Sequence, residues 1–346
     1  MMQQLAFVKP GVFEWRETAA PVLEDAGDAL VRPMAVTRCD LDLYIATGLY
    51  PIEGPFAFGH EIAGEVVAVG DAVTGFQPGD RVIVPFQLSC GACGPCGRGW
   101  TNACESVPQF SAYGLAPIAG HEWGGGLADL VRVPFAAHML VRAPEALSWG
   151  AAAAISDNAA DGFRTVADPL RDRPGADVLI VGGLAQSVGL FAVEAARALG
   201  AGGIVYTDYD ATRLTKAAAL GAQAVKIDYS SQKKFEREFP IVVEAAGLPA
   251  GLSFALRSTA PCGVCTGVSA GTGADPLIPL RAMYTKGITY TVSRVHARGV
   301  IPDLLACASC ENGFSPEKVL TKTVSFDEAA NAMTDATHKL VFLRDV

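Results

Sequence analysis

Four cysteines cluster within fifteen residues, and this cluster constrains the fold more than any other feature of the sequence: Cys90, Cys93, Cys96 and Cys104. Glycines interleave with them and allow a loop tight enough to direct four sulfurs at one ion: Gly91, Gly94, Gly97 and Gly99. Four thiolates satisfy the tetrahedral preference of zinc and leave no coordination position open. The pattern predicts a structural zinc lobe at about residues 88–106; an iron–sulfur cluster or free thiols are the alternatives.

Length and composition narrow the class of protein. A chain of 346 residues, half of them hydrophobic and 18% charged, is expected to form two globular domains. The net charge of −9 argues against binding to nucleic acid or to an anionic membrane surface. The sequence has no signal-like start and no apolar run of ~18 residues, so we expect a cytoplasmic protein outside the membrane. In that reducing compartment clustered cysteines are more often metal ligands than disulfides.

The pattern of hydrophobic residues changes near Ser148. Residues 1–150 contain short strands separated by Gly and Pro, such as 61–70 and 80–85, and predict a β-rich domain. An apolar strand at 176–181 is followed by a helix at 190–199 and by strands at 203–207 and 241–245, which predicts a doubly wound parallel sheet over 151–295. We expect the tail, 296–346, to pack back on the first domain.

The turn after the first apolar strand is a candidate nucleotide site. Its expected cofactor-binding residues are Gly182, Gly183, Ser187, Val188 and Gly189, because amides at a helix N-terminus can hold a pyrophosphate. Asp208 ends the next strand, where an acid accepts hydrogen bonds from a ribose diol, and its charge favours NAD over NADP. Arg213 lies one helical turn further on and is expected at the adenosine ribose. Gln186 replaces a usual glycine, and a simple strand–helix turn is the alternative.

A second, sparser set of metal ligands is formed by Cys39, His60 and Asp157, with Glu61 in the shell behind them or as an exchangeable ligand. Three ligands with one open position are typical of a catalytic zinc. Taken singly, each residue also has a structural explanation, such as a core cysteine or a helix cap at Asp157.

Together these motifs resemble the medium-chain zinc alcohol dehydrogenase family over essentially the whole chain. The motifs that carry the resemblance are Gly59-His60-Glu61 with Gly64-Glu65-Val66, Gly79-Asp80-Arg81-Val82, the four-cysteine lobe and the nucleotide unit that closes at Leu220-Gly221-Ala222. The resemblance implies a GroES-like catalytic domain, a Rossmann domain, two zinc ions per chain and a homodimer or homotetramer. It puts Cys39, His60 and Asp157 on the catalytic zinc, Asp42 behind a ligand, Phe86 in the substrate pocket and Lys339 on the cofactor pyrophosphate.

The expected function is hydride transfer between a small alcohol, or its aldehyde or ketone, and NAD(H). Leu41 stands where the family has Ser or Thr to relay the alcohol proton, and leucine cannot do so; Tyr44 or Asp40 is the candidate substitute. Two alternatives stay open. One is a polyol or sugar dehydrogenase with the same zinc, and the other is a non-catalytic NAD-binding regulatory protein that keeps only the structural zinc.

Three further patterns have competing explanations. Cys262, Cys265, Cys307 and Cys310 form either a third metal site or parts of a buried strand and helix. His121 and Trp123 either line the substrate pocket or belong to a turn. The basic stretch 294–298 contacts the cofactor or an acidic substrate, or else forms ion pairs or a solvated face.

Overall fold

The computed structural model describes residues 1–269 and 275–345. The predicted second domain, 151–295, and the predicted tail, 296–346, are therefore each described in part. Within the described ranges, no helix combines the length and the apolar character that crossing a membrane requires.

The strands and helices are as follows. The strands are β1 (Met2–Lys9), β2 (Val12–Thr18), β3 (Ala29–Thr37), β4 (Phe56–Ala57), β5 (Glu61–Val69), β6 (Arg81–Val84), β7 (Val131–Val133), β8 (Val141–Arg142), β9 (Val178–Val181), β10 (Ile204–Asp208), β11 (Gln223–Lys226), β12 (Phe239–Glu244), β13 (Thr259–Gly267), β14 (Thr289–Val292), β15 (Lys322–Ser325) and β16 (Leu340–Leu343). The helices are α1 (Asp40–Thr47), α2 (Gly94–Gly97), α3 (Ala116–Ala119), α4 (Ala136–Met139), α5 (Trp149–Ile155), α6 (Asn158–Asp172), α7 (Gln186–Ala198), α8 (Ala211–Ala219), α9 (Pro249–Ser258), α10 (Leu280–Lys286), α11 (Ala297–Ala308) and α12 (Ala329–Ala332), with 3₁₀ turns at Thr101–Ala103 and Pro316–Lys318.

The described chain forms two compact units, and the first is rich in strands. It comprises Met1–Asp157, His296–Pro302 and the chain from Leu320 onward. Its main sheet has the order β15-β16-β3-β5-β6-β8, with β7 also paired to β3, and a smaller sheet has the order β2-β1-β4. Strands β3 and β5 run antiparallel with Thr37 opposite Glu61, so the chain just after β3 lies beside the chain just before β5. That register brings two distant sequence segments together at one end of the sheet.

The second unit is a parallel α/β sheet, comprising Asn158–Val295 and Asp303–Val319. Its strand order is β11-β10-β9-β12-β13-β14. Every residue of β9 is fully buried, as expected for a strand covered on both faces. The predicted fold class, a β-rich domain with a parallel doubly wound sheet, is confirmed. The chain reverses direction in the strand order between β9 and β12, and ligands bind at such switch points, outside the carboxyl ends of the strands.

Helix α7 begins at Gln186, four residues before the predicted start at Leu190. The prediction followed the apolar run, but the polar residues Gln186 and Ser187 already have helical geometry. The N-cap is Ala185, whose side chain has no hydrogen-bonding group to offer to the amides of the first turn.

Candidate functional site

Cys39, His60 and Asp157 meet in the first unit. Each is buried, and one ligand atom from each lies within 4.8 Å of the other two. Cys39 directly follows the segment after β3, and His60 directly precedes β5, so the β3–β5 register brings them together. Asp157 follows α5, which packs on both of these strands. Three segments that are remote in the sequence thus supply one donor set of sulfur, nitrogen and oxygen.

The spacing of these atoms fits a zinc ion. His60 Nε2 lies 3.3 Å from Asp157 Oδ2. Two ligand atoms at the usual zinc distances of about 2.0–2.2 Å, in tetrahedral geometry, lie about 3.3–3.5 Å apart. Three protein ligands of this kind are the set that a catalytic zinc uses, with the fourth position left for substrate or water.

The electrostatics of the site also favour a cation. Burial, together with the carboxylates of Asp157 and Glu61, raises the pKa of the Cys39 thiol well above its usual value. Burial by itself lowers the pKa of His60, but the carboxylates of Asp42 and Asp157 outweigh it and raise that pKa to about 9. A bound divalent cation would offset this excess of negative charge and favour the ligating forms of both side chains.

Asp42 supports two of the ligands from behind. Its Oδ2 accepts a hydrogen bond from the Cys39 amide at 3.0 Å. Its Oδ1 lies 3.3 Å from His60 Nδ1. A carboxylate at that nitrogen fixes the imidazole orientation and leaves Nε2 to face the ligand set.

Glu61 lies behind the ligand set rather than within it. Its Oε2 accepts hydrogen bonds from Lys339 Nζ, at 2.5 Å, and from Thr37 Oγ1. Lys339 is fully buried in the first unit, and its ammonium also donates to Arg38 O at 3.2 Å. In this arrangement Lys339 neutralises Glu61, and its contact with a cofactor pyrophosphate stays a prediction. The role of Glu61 as an exchangeable ligand stays a prediction.

Phe86 borders the ligand set, and its place in a substrate pocket stays a prediction. Its ring centroid lies 5.5 Å from that of His60. Its amide donates to Ser156 O at 3.3 Å, one residue before Asp157. On α1, which starts directly after Cys39, Leu41 and Tyr44 are both half-buried. The proton-relay role of Tyr44 or Asp40 stays a prediction.

The four-cysteine lobe is assembled as predicted, with the four sulfurs of Cys90, Cys93, Cys96 and Cys104 within 4.8 Å of one another. The sulfurs of Cys93 and Cys104 are 4.0 Å apart, against about 3.8 Å for two thiolates on one tetrahedral zinc. Gly91 has a φ of +77°, and a side chain there would collide with the His138 ring. The glycine is therefore required for the loop.

Hydrogen bonds in the lobe stabilise the thiolate form of Cys90. Cys90 Sγ accepts from the amides of Ala92 and Cys93 and from Ser106 Oγ at 3.2 Å. Partial burial raises the pKa of Cys90, but these donors, led by Ser106, outweigh it and bring that pKa to about 6. The thiolate is the form that binds a metal.

The nucleotide turn in the second unit is closely packed. A Cβ at Gly182 would lie 2.3 Å from Tyr206 Oη, and one at Gly183 would lie 2.6 Å from Ala246 O. Tyr229 Oη donates to Gly182 O at 3.0 Å. Sequence reasoning missed both tyrosines, because no local motif links them to a turn that they reach through the sheet. Ser187, a predicted cofactor residue, donates to Asn158 Oδ1 at 2.7 Å and is buried; Val188 is buried beside it, and Gly189 is in the same helical turn.

Asp208 and Arg213 form a buried ion pair. The guanidinium binds both carboxylate oxygens, with Nε–Oδ2 at 2.7 Å and Nη2–Oδ1 at 2.6 Å. Tyr206 Oη and the Asp210 amide also donate to this carboxylate. The acid is thus rigidly held at the carboxyl end of β10, and Arg213 orients it. The expected direct contacts of both residues with the ribose stay predictions.

A buried acid, Glu244, ends β12 at the same edge of the sheet, where it accepts from the Gly247 amide. Burial raises its pKa from 4.5 to about 7.

This raised pKa of Glu244 predicts a pH dependence of stability. Between pH 4.5 and about pH 7 the unfolded chain has released the proton and the folded chain has kept it, so the free energy of unfolding falls as pH rises. From pH 5 to pH 8 we expect the free energy of unfolding of the wild type to fall by about 2–3 kcal/mol more than that of Glu244→Gln. Urea unfolding of both proteins at the two pH values measures this; parallel pH dependence would contradict it.

The remaining patterns make the following contacts in the described residues. Of the metal-ligand groups found in residues 1–269 and 275–345, none includes Cys262, Cys265, Cys307 or Cys310. Cys265 is buried in β13, whereas Cys310 is exposed. His121 and Trp123 pack against each other with centroids 4.4 Å apart. In the basic stretch, Arg298 Nε donates to His138 O at 2.5 Å, beside the four-cysteine lobe.

Comparison with known proteins finds dehydrogenases. One family model, described as an alcohol dehydrogenase GroES-like domain, matches residues 25–145, and a second, described as a zinc-binding dehydrogenase, matches residues 187–309. A sorbitol dehydrogenase of Bacillus subtilis (strain 168) is 35% identical over 243 residues, which span 67% of this chain and 65% of that protein, just under two thirds of its length. A medium chain reductase/dehydrogenase of Acremonium sp is 30% identical over 289 residues, 80% of this chain and 96% of that protein.

Among solved structures, alcohol dehydrogenase TADH from Thermus sp. ATN1 matches 99% of this chain and 100% of its own, with a TM-score of 0.87 and 29% identity. The first family match contains Cys39, His60 and the four-cysteine lobe, and the second contains Asp208.

Proposed function

We propose, on the premise that this chain belongs to the zinc-containing medium-chain dehydrogenase/reductase family, that it interconverts a small alcohol and its carbonyl compound with zinc and NAD. The observation that carries the proposal is the convergence of Cys39, His60 and Asp157 on one point with three different donor atoms. A purely regulatory protein with only the structural zinc would have no need of this second set.

Zinc bound there would supply Lewis acidity at the substrate oxygen, and the nicotinamide would supply or accept the hydride. The chain's own residues then have separate tasks. Asp42 fixes the imidazole of His60, and Lys339 neutralises Glu61 behind the ligands. Phe86 presents an apolar ring beside His60, which keeps water from part of the site. Since Leu41 cannot move a proton, we assign that task to Tyr44 or Asp40.

The choice of NAD rests on Asp208. A carboxylate at the end of the second strand of such a sheet accepts ribose hydroxyls and repels a 2′-phosphate. Arg213 fixes that carboxylate and lies at the start of α8, where a ribose hydroxyl would reach it. The turn 182–189 and the first amides of α7 would hold the pyrophosphate.

Zinc content and turnover test this function together. We expect two zinc ions per chain by elemental analysis of the purified protein, and NAD-dependent oxidation of short alcohols. A zinc content of one ion per chain that does not increase when zinc is added, together with no turnover of any alcohol, would favour the regulatory alternative instead. Reduction of NADP at a rate equal to that of NAD would contradict the role of Asp208.

We further propose that the chain forms a homo-oligomer through β14. This strand is last in the sheet order of the described residues, with its outer edge open to pairing. Large apolar side chains are exposed on this strand and in the segment that precedes it in the chain: Leu277, Ile278, Leu280, Tyr284 and Val292. A second copy offers the same edge and the same apolar side chains, so pairing about a two-fold axis covers both patches at once.

The mass in solution tests this interface. Light scattering is expected to give a multiple of the 36.0 kDa chain for the wild type and a smaller assembly for Val292→Glu, which introduces a charge at the edge. Leu49→Glu, at an exposed leucine of the first unit, is the control and should not change the mass. An unchanged mass for Val292→Glu would argue against β14 as the contact.

A further inference from the structure

Cys307 and Cys310 are two thiols that neither the predicted zinc sites nor the proposed chemistry uses. Cys307 lies in the last turn of α11 and is half-buried, whereas Cys310 follows that helix and is exposed. An exposed thiol with a second thiol beside it is typical of cysteines that sense oxidants, because the exposed sulfur meets the oxidant and its neighbour can then bond to it.

The backbone brings these two residues within the span of a disulfide. The Cys310 amide donates to Cys307 O at 3.2 Å, which closes a turn of four residues. The first and last Cα atoms of such a turn are less than about 7 Å apart. The two Cα atoms of a disulfide are usually about 4.4–6.8 Å apart. The main chain at Cys307 and Cys310 is therefore in the range that a disulfide requires.

The contacts of the two sulfurs place them near each other. Cys310 Sγ donates to Ala306 O at 3.4 Å, and that carbonyl belongs to the peptide group that joins Ala306 to Cys307. Burial raises the pKa of the Cys307 thiol, and a charge on Cys310 raises it further, so the two groups are close enough to interact. The Phe314 amide opposes this rise by donating a hydrogen bond to the Cys307 sulfur, which stabilises its thiolate, the nucleophilic form.

The loop after Cys310 is fixed, so the turn stays in place while its sulfurs react. Arg197 Nη1 donates to Asn312 O at 3.1 Å, and Nη2 donates to Gly313 O at 2.8 Å. The Gly313 amide donates to Cys310 O at 3.0 Å, and a Cβ at Gly313 would collide with Cys307 O. A turn held in this way keeps the second thiol at a high effective concentration beside the first.

A cavity beside Cys307 gives its side chain room to turn. The cavity has a volume of about 380 Å³, and its walls include Phe163 and Leu170 of α6 and Asp303 and Cys307 of α11. In a close-packed core a side chain cannot change rotamer without displacing its neighbours, whereas a side chain at the wall of a cavity can. Cys307 can therefore turn toward Cys310 although it is half-buried.

We propose that Cys307 and Cys310 are a modification site, at which hydrogen peroxide converts two thiols into one intramolecular disulfide. Cys310 Sγ attacks the peroxide, the O–O bond breaks, and a sulfenic acid and one water are formed. Cys307 Sγ then attacks that sulfur, so that the S–S bond forms, the S–O bond breaks and a second water leaves with the Cys307 proton.

The reaction passes two electrons from the thiols to the peroxide, and a dithiol reductant reverses it. Such a pair is kept as thiols in a reducing compartment and is oxidised only transiently there. The inference does not depend on the proposed dehydrogenase function.

Peptide mapping tests the site, with zinc-loaded protein treated first with hydrogen peroxide and then with an alkylating agent. Trypsin cleaves after Arg298 and Lys318 and releases both cysteines in one peptide, 299–318. We expect this peptide to become two hydrogen atoms lighter and to resist alkylation. Dithiothreitol should restore both thiols to the alkylating agent.

The chain contains a matched control for this experiment. Cys262 and Cys265 have the same spacing and are released together in peptide 258–281. Cys262 is exposed, but Cys265 is fully buried in β13, so peroxide and the alkylating agent do not reach it in the folded protein. We expect no disulfide in this peptide. Equal disulfide formation in the two peptides would show unselective oxidation and would contradict the proposal.

Single variants test the order of the two steps. In Cys307→Ser the sulfenic acid on Cys310 has no neighbouring thiol, so dimedone should label it, whereas the wild type should give little label. Cys310→Ser changes an exposed side chain and should fold, and its half-buried Cys307 should take up little dimedone. The proposal is overturned if peptide 299–318 of the wild type keeps two alkylatable thiols, or if its Cys310 is labelled by dimedone as fully as in Cys307→Ser.

Discussion

Replacing Asp157 with alanine is expected to remove one of two zinc ions per chain and to lower kcat/KM by more than about a thousandfold, because Lewis-acid assistance contributes several kcal/mol to the transition state. His60 Nε2 now has Asp157 Oδ2 at 3.3 Å, and without that oxygen only two of the three converging donors remain. Two protein ligands are too few for a stable zinc site. The second zinc should survive, since Cys90, Cys93, Cys96 and Cys104 form a separate group.

A conservative variant separates loss of the ligand from loss of the fold. Asp157→Cys supplies a thiolate in place of the carboxylate and restores a Cys₂His set, which zinc also accepts. We expect this variant to keep two zinc ions and a substantial part of the turnover. Elemental analysis and steady-state kinetics on the two variants give the answer. Two bound zinc ions and normal turnover in Asp157→Ala would remove Asp157 from the metal site.

Replacing Lys339 with methionine is expected to lower the free energy of unfolding by about 3–5 kcal/mol, the usual cost of leaving one buried charge without its partner. Lys339 and Glu61 are both fully buried, and their Nζ and Oε2 atoms are 2.5 Å apart. Burial already raises the pKa of Glu61, and Lys339 is the main group that opposes this rise. Without the ammonium, the carboxylate must either stay charged in the core or take up a proton.

Two comparisons make this prediction specific. Lys322→Met removes the exposed partner of the half-buried Asp335 and should cost less than about 1 kcal/mol. Combining Lys339→Met with Glu61→Gln removes the stranded charge, so the double variant should recover much of the lost stability. Urea unfolding measures all three. A cost for Lys339→Met no larger than that for Lys322→Met would show that the buried pair does not stabilise this unit.

The nucleotide unit was largely predictable because its signals are local. The apolar run that became β9 and the acid that ends β10 lie in one continuous stretch, and the period of the hydrophobic pattern identifies both. The hydrophobic pattern could not predict which side chains bind the carboxylate of Asp208. Arg213 and Tyr206 bind Asp208 through side chains whose directions depend on the packing of β10 against α8.

The catalytic ligand set was only partly predictable. Cys39, His60 and Asp157 were proposed as one set of ligands, but each residue alone also had a structural explanation, and their meeting depends on the pairing of β3 with β5 and on the packing of α5. The sequence did not predict that Lys339 pairs with Glu61. Its partner lies 278 residues away, and strand β16 must join β3 before the two can meet.

The sequence by itself determined the four-cysteine lobe, because all four ligands lie in one short loop. Glycines such as Gly91 allow that loop to turn tightly. The sequence also determined the alternation of strands and helices in the parallel sheet. The tertiary structure alone decided which charges are paired in the core, such as Lys339 with Glu61 and Arg213 with Asp208. Loop closure over a few residues is a local property, whereas the burial of a side chain depends on every element that packs around it.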